Sequence, residues 1–136
     1  MLHTINKVSI EFSKTPIDVF NHVIDLANWW PEEFVGDKLK LNSEFVLKTG
    51  DGHYSKNSVV EFMPGSKLEW VVTESKRAQD NFDWTGTKMI FELRQRGNNT
   101  LLTFIYDGPV LEDEQERLSE ICDFCIRKKL FDFINS

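Results

Sequence analysis

Residues 4–13 alternate apolar and polar side chains, and Val8, Ile10 and Phe12 share one face, the period of a half-buried strand. The alternation breaks at Lys14-Thr15-Pro16. Thr15 suits a helix N-cap, Pro16 the first helical position, and Asp18 the positive end of the helix dipole. Ile17, Phe20, Val23 and Ile24 then recur at helical spacing. Leu26 to Trp30 predicts a second short helix, which Pro31 limits because the residue before a proline is pushed out of the helical region.

From about residue 44 to residue 107 the pattern turns to strands and turns. Phe45-Val46-Leu47 runs into Gly50-Asp51-Gly52, a strong turn signal. Residues 55–63 and 68–75 flank Pro64-Gly65-Ser66-Lys67. A three-residue loop at 65–67 sets Phe62 opposite Trp70 and Val60 opposite Val72, with apolar residues on one face. That register turns Glu61 and Glu69 outward. In the next hairpin, residues 84–96 and 99–107 flank Gly97-Asn98 and pair Leu93 with Leu102, Phe91 with Phe104 and Met89 with Tyr106.

The last segment is helical. Asp113 and Glu116 stand at the spacing of a capping box, and the acids of 112–116 favour a helix N-terminus. Leu118, Ile121, Cys122, Cys125 and Ile126 form one stripe, and at about 100° per residue Lys129 falls near its centre, with Phe133 rejoining it. The element order predicts an α+β fold in which a curved antiparallel sheet packs against one long C-terminal helix, with two short helices after the first strand. We find no repeat and no linker, so residues 1–136 read as a single domain.

Composition narrows the function. The net charge of −6 argues against a nucleic-acid or acidic-membrane partner, which would call for a basic face. No apolar run is long enough to span a membrane, and the alternating N-terminus is unlike a signal peptide, so a cytoplasmic location is expected. Eleven Phe, four Trp and two Tyr supply rings for a core and for the lining of an apolar pocket.

The pair Cys122-x-x-Cys125 invites a metal or redox reading. Structural zinc needs four ligands, and His3, His22 and His53 lie far away in sequence. A redox pair would sit at a helix N-terminus, whereas these residues fall inside a helix. They are expected to be reduced, buried or pocket-lining thiols, with no metal or cofactor implied. Lys129 either lays its stem on apolar surface with its ammonium in water, or stands at a pocket mouth facing a ligand carboxylate. Trp29 and Trp30 either pack on the sheet or gate a cavity. Tyr106 brings a hydroxyl that needs a partner. No G-x-S-x-G, H-E-x-x-H, P-loop or complete G-x-G-x-x-G is present. Glu44, Glu61 and Glu69 read as a solvated face, and His53 with Tyr54 as a turn histidine or an acid–base pair near a cavity mouth.

Three stretches carry a family resemblance. They are TPIDVFNHVIDLANWW, with Pro16, Val19, Phe20, Asp25 and Trp29-Trp30; VVEFMPGSKLEW, with Glu61, Pro64, Leu68 and Trp70; and TGTKMIFELRQRGNNTLLTFIYDG, with Phe91, Leu93, Gly97, Thr100, Leu102, Thr103 and Gly108. In this order the chain resembles the START-like (SRPBCC) superfamily of helix-grip folds. Within it the chain is most similar to the family of the activator of heat-shock protein 90 ATPase, the Aha-type domains. The chain departs from that family at Leu41-Asn42-Ser43-Glu44, where a Gly-Gly pair is usual, and in lacking a Trp along the last helix. The resemblance implies a cavity between sheet and C-terminal helix that takes a small hydrophobic or amphipathic ligand. Its expected lining is Trp30, Phe62, Trp70, Met89, Phe91, Phe104, Tyr106, Ile121, Cys122, Cys125 and Lys129. It also admits a polyketide cyclase- or hydrolase-like enzyme, or a chaperone-associated interaction module.

Overall fold

A computed structural model describes residues 2–50, 52–77 and 82–136. Among these, seven strands form one antiparallel sheet, the long helix crosses its concave face, and β1 and β2 are the two edges. The strands are β1 (Leu2–Phe12), β2 (Glu33–Val35), β3 (Glu44–Lys48), β4 (Tyr54–Met63), β5 (Lys67–Lys76), β6 (Lys88–Arg96) and β7 (Asn99–Val110). Their order is β1-β7-β6-β5-β4-β3-β2. β2 has too few residues to carry a pattern, and the sequence reading does not include it. Asp51 of the Gly50-Asp51-Gly52 turn lies outside the described residues.

Helix α1 (Pro16–Val23) begins as its caps dictate: the Asp18 amide donates to Thr15 Oγ1 at 3.3 Å, with Pro16 in the first turn. Its buried side chains are Val19, Phe20 and Val23, whereas Ile17, expected on the inner stripe, is 48% exposed. A single 3₁₀ turn (Leu26–Asn28) follows, and the Trp29 indole N–H donates to the Val23 carbonyl at 3.0 Å, tying that turn to the end of α1.

The β6–β7 hairpin has the expected register, with Leu93 opposite Leu102, Phe91 opposite Phe104 and Met89 opposite Tyr106. Gly97 supplies the left-handed φ of +60° that this turn requires. β6 starts at Lys88 rather than at residue 84, because Trp84–Thr87 closes as a turn with the Thr87 amide on the Trp84 carbonyl at 3.1 Å.

The β4–β5 register differs from the expectation. Met63 pairs with Lys67 and Phe62 with Leu68, so the loop is Pro64-Gly65-Ser66. An irregularity between Val59 and Glu61 then sets Val59 opposite Trp70. The extra residue, Val60, resets the alternation, so that Phe62 and Val59 both face inward while Val60 is 43% exposed. Alternation without a bulge cannot place both on one face. Glu61 and Glu69 do point outward, where Lys67 Nζ lies 3.4 and 3.7 Å from their carboxylates.

The C-terminal helix runs without a break through α2 (Gln115–Asp123), a π segment (Phe124–Leu130) and α3 (Phe131–Ile134). No capping box forms at its start. A 3₁₀ turn (Glu112–Glu114) leads in, and Glu114 at the N-cap makes no side-chain cap. The buried residues are Cys122, Cys125, Ile126, Leu130 and Ile134, mostly four apart. In an α-helix a four-residue step drifts by about 40°. The i→i+5 ladder of a π segment takes more residues per turn and holds that spacing in line. The inward position therefore passes from Lys129, which is exposed, to Leu130, which is 0% exposed. Ile126, Leu130 and Ile134 join one core with Val8, Phe12, Phe20 and the sheet aromatics.

Leu130→Ala is expected to cost about 2–5 kcal/mol through lost burial and a residual cavity. Lys129→Ala should change stability by less than about 0.5 kcal/mol, as at most exposed sites. Urea unfolding of both variants measures the helix phase, and equal costs would contradict it.

Candidate functional site

A cavity of about 440 Å³ opens between the sheet and the first half of the C-terminal helix. Its floor is Met89 on β6 with Phe104 and Tyr106 on β7, and its helix wall is Leu118, Ile121, Cys122 and Cys125. Trp30, Pro31 and Glu32 close one side, and Pro109 and Val110 the end of β7. The rim comes from connecting segments, with Thr49 and His53 from the β3–β4 turn and Arg77, Phe82 and Trp84 from the β5–β6 connection.

The structure thus brings together Trp30, Met89, Phe104, Tyr106, Ile121, Cys122 and Cys125 of the expected lining. Four residues stand elsewhere. Trp70 and Phe91 are 0% exposed and lie one layer behind: Trp30 stacks edge-on to Trp70 at 5.4 Å, and Phe104 contacts Phe91 at 4.9 Å. Phe62 packs edge-on against Phe20 at 5.3 Å beneath α1, on a separate groove with Ile24 and Leu39. Lys129 is exposed, because the π segment turns Leu130 inward in its place.

Trp30 marks the boundary between core and cavity. It packs edge-on to Trp29 at 5.3 Å and donates its indole N–H to Glu32 Oε1 at 3.1 Å. That bond holds a carboxylate at the cavity wall. Tyr106 is 8% exposed, and its hydroxyl donates to the Pro109 carbonyl at 2.7 Å. Its partner is therefore the protein's own backbone. Burial raises the Tyr106 pKa, which keeps the phenol neutral. Beside it, Gly108 lets Thr87 approach β7, since a Cβ there would stand 2.6 Å from Thr87 Oγ1. Thr87 is itself tied to the Trp84 carbonyl, which fixes the rim turn.

The rim carries the charge. Arg77 donates two hydrogen bonds to Glu114, Nη1 to Oε2 at 3.1 Å and Nη2 to Oε1 at 2.9 Å, in a two-pronged pair that joins the β5–β6 connection to the helix start. Its guanidinium also sits over the Phe82 ring at 5.2 Å. Glu114 therefore serves this bridge rather than a helix cap. Arg117 lines the cavity three residues later. Sequence reasoning missed it, although it stands four and eight residues before Ile121 and Cys125.

A polar file leads inward from the rim. His53, Ser55 and Asn57 alternate along one face of the chain leading into and along β4, and Ser55 and Asn57 are 4% and 1% exposed. The Asn57 side-chain amide donates to the Ser55 carbonyl at 3.2 Å and to Ser55 Oγ at 3.1 Å, while its Oδ1 has no hydrogen-bond partner among the described residues. On the neighbouring strand the buried Trp70 indole N–H is likewise unbonded.

Both thiols are free and buried, and burial is the main cause that pushes each up to about 12. Glu32 adds to the rise at Cys125, and Lys129 opposes it. Burial therefore keeps both thiols protonated at neutral pH, which disfavours a nucleophilic role. Among the described residues no cluster of three or more His, Cys, Asp or Glu stands ready to hold a metal ion. Nor, among them, is any helix long and apolar enough to cross a membrane.

No family model and no curated protein matches the chain. Solved structures do. A START superfamily protein from Mycobacterium smegmatis superposes with a TM-score of 0.69 at 12% identity, over 98% of this chain and 94% of that one. The chain has the START-like, helix-grip fold. The Aha1 dimer from Colwellia psychrerythraea gives a TM-score of 0.71 at 16% identity, over 91% of each chain. DynU16, a protein of the dynemicin biosynthetic locus, gives 0.68 at 14% identity; the match takes in 96% of this chain but only 45% of DynU16. These identities establish the fold and leave the ligand to the site's own chemistry.

Because both thiols are held above their ordinary 9.0, folding favours their protonated form. Their contribution to stability is whole below that value and is lost as the pH climbs toward about 12. The stability difference between the natural chain and a Cys122→Ala/Cys125→Ala variant should therefore shrink over that window in urea titrations. A difference that stays constant would contradict it.

Proposed function

We propose that the chain binds a small amphipathic molecule in this cavity, its apolar body against Trp30, Met89, Phe104, Leu118 and Ile121 and its polar end at the rim. One observation carries the reading: a space of about 440 Å³ between sheet and helix lined mostly by apolar side chains, with a smaller set of polar and charged ones. This volume is within the range of small-molecule sites, and burial of apolar surface would supply most of the affinity. Trp30, Phe104 and the two thiols act as wall. Tyr106 closes on its own backbone partner and shapes the floor.

The fold's likeness to DynU16, placed by its name in a biosynthetic locus, keeps an enzymatic reading in view. His53 and Glu32 on the cavity wall are the side chains that would carry acid–base chemistry in that case. The thiols are too poorly ionised to join it. The binding reading rests on what most of the lining is made of, which is apolar.

Leu118 is half-buried on the helix wall, so a larger ring there fills the space without opening the core. Leu118→Trp should weaken binding of the neutral dye N-phenylnaphthylamine by about tenfold or more while the circular dichroism spectrum stays native. Unchanged dye affinity in a folded variant would remove this cavity as the site.

A further inference from the structure

The apolar wall defines one end of the ligand, and the rim defines the other. Among the described residues, four charged side chains line the cavity: Glu32, Arg77, Glu114 and Arg117. Arg77 and Glu114 are bound to each other through two hydrogen bonds, and both are largely shielded, with side chains 16% and 26% exposed. Glu32 is occupied by the Trp30 indole. Arg117 differs, because among the described residues its guanidinium makes no ion pair and no hydrogen bond, although Glu116 and Glu120 share its helix and Asp113 stands in the turn that leads into it. The acid three residues before it, Glu114, points to Arg77 instead of to Arg117. Three of the other four arginines of the chain, Arg77, Arg96 and Arg127, each face a carboxylate.

From this we infer that the ligand is an anionic amphiphile, a carboxylate or comparable oxyanion on an apolar body, whose charged group is met at the mouth by Arg117. The inference rests on the binding reading above and names the ligand class for the same site. Arg117 precedes Ile121 by one helical turn and Cys125 by two, so a molecule lying along the helix wall leaves its head beside the guanidinium. A planar guanidinium offers several donors in a fork that fits a carboxylate. The Arg77–Glu114 bridge supports this by holding the helix start against the rim and by engaging an acid that lines the same cavity. Arg117 thus takes the role that one of the two sequence readings offers Lys129, three turns earlier on the same helix.

The test compares decanoate with decanol, which share one apolar chain and differ in head group, by displacement of N-phenylnaphthylamine. The natural chain should bind decanoate about tenfold or more tightly than decanol, and raised salt should weaken decanoate alone. In Arg117→Gln the decanoate affinity should fall to that of decanol, while decanol binding and the dichroism spectrum stay unchanged. Equal affinity for the two probes in the natural chain overturns the inference and leaves apolar binding standing. So does a variant that loses both probes equally. If neither probe displaces the dye, or the dye does not bind, the cavity reading itself fails and this one with it.

Discussion

Everything in this molecule depends on the seating of one helix. Cys122, Cys125, Ile126, Leu130 and Ile134 join one core with the inner face of the sheet, which α1 covers further along with Val19, Phe20 and Val23. The seating is tight in the second half, where Leu130 and Ile126 are 0% exposed and Phe131 stacks on Phe12 at 5.9 Å. The first half of the helix also runs close to β1 and β7, and the space between it and Trp30, Met89, Phe104 and the rim segments is the cavity. The Arg77–Glu114 bridge then sets where the free end of the helix rests.

The aromatic cluster performs the matching task from the other side. Trp30, Trp70, Phe91 and Phe104 form a run of edge-on and tilted contacts between 4.9 and 6.5 Å, so the cavity floor is backed by rings and cannot collapse inward. Trp29, anchored on the Val23 carbonyl, supports that run from the end of α1. A rigid floor and an anchored helix keep a space open without a ligand. Such a preformed space reduces the ordering cost of binding.

How much of this was legible in the chain depended on whether local chemistry and side-chain pattern agreed. At β6–β7 they do, since the Gly97-Asn98 turn and the alternation of Phe91, Leu93, Leu102 and Phe104 demand one register. At β4–β5 they do not. The bulge at Val60 moves a whole strand face by one residue and leaves no mark in composition. The π segment is similar: Phe124–Leu130 reads as ordinary helix, yet its wider turn exchanges Lys129 for Leu130 on the inner face. The rim was the least legible part. His53, Arg77, Phe82 and Trp84 come from two separate connections, and only the folded sheet brings them to one mouth. The floor residues Met89, Phe104 and Tyr106 were visible because strand alternation alone places them together.

Methyl-resolved NMR during a titration with a neutral apolar probe examines the account most directly. Methyls of Met89, Leu118 and Ile121 line the cavity, whereas those of Ile24 and Leu39 line the groove beside α1, and Ile17 and Met63 lie on the surface. The account predicts saturable shifts at Met89, Leu118 and Ile121 with the other four left in place. Shifts confined to Ile24 and Leu39, or to Ile17 and Met63, would contradict it.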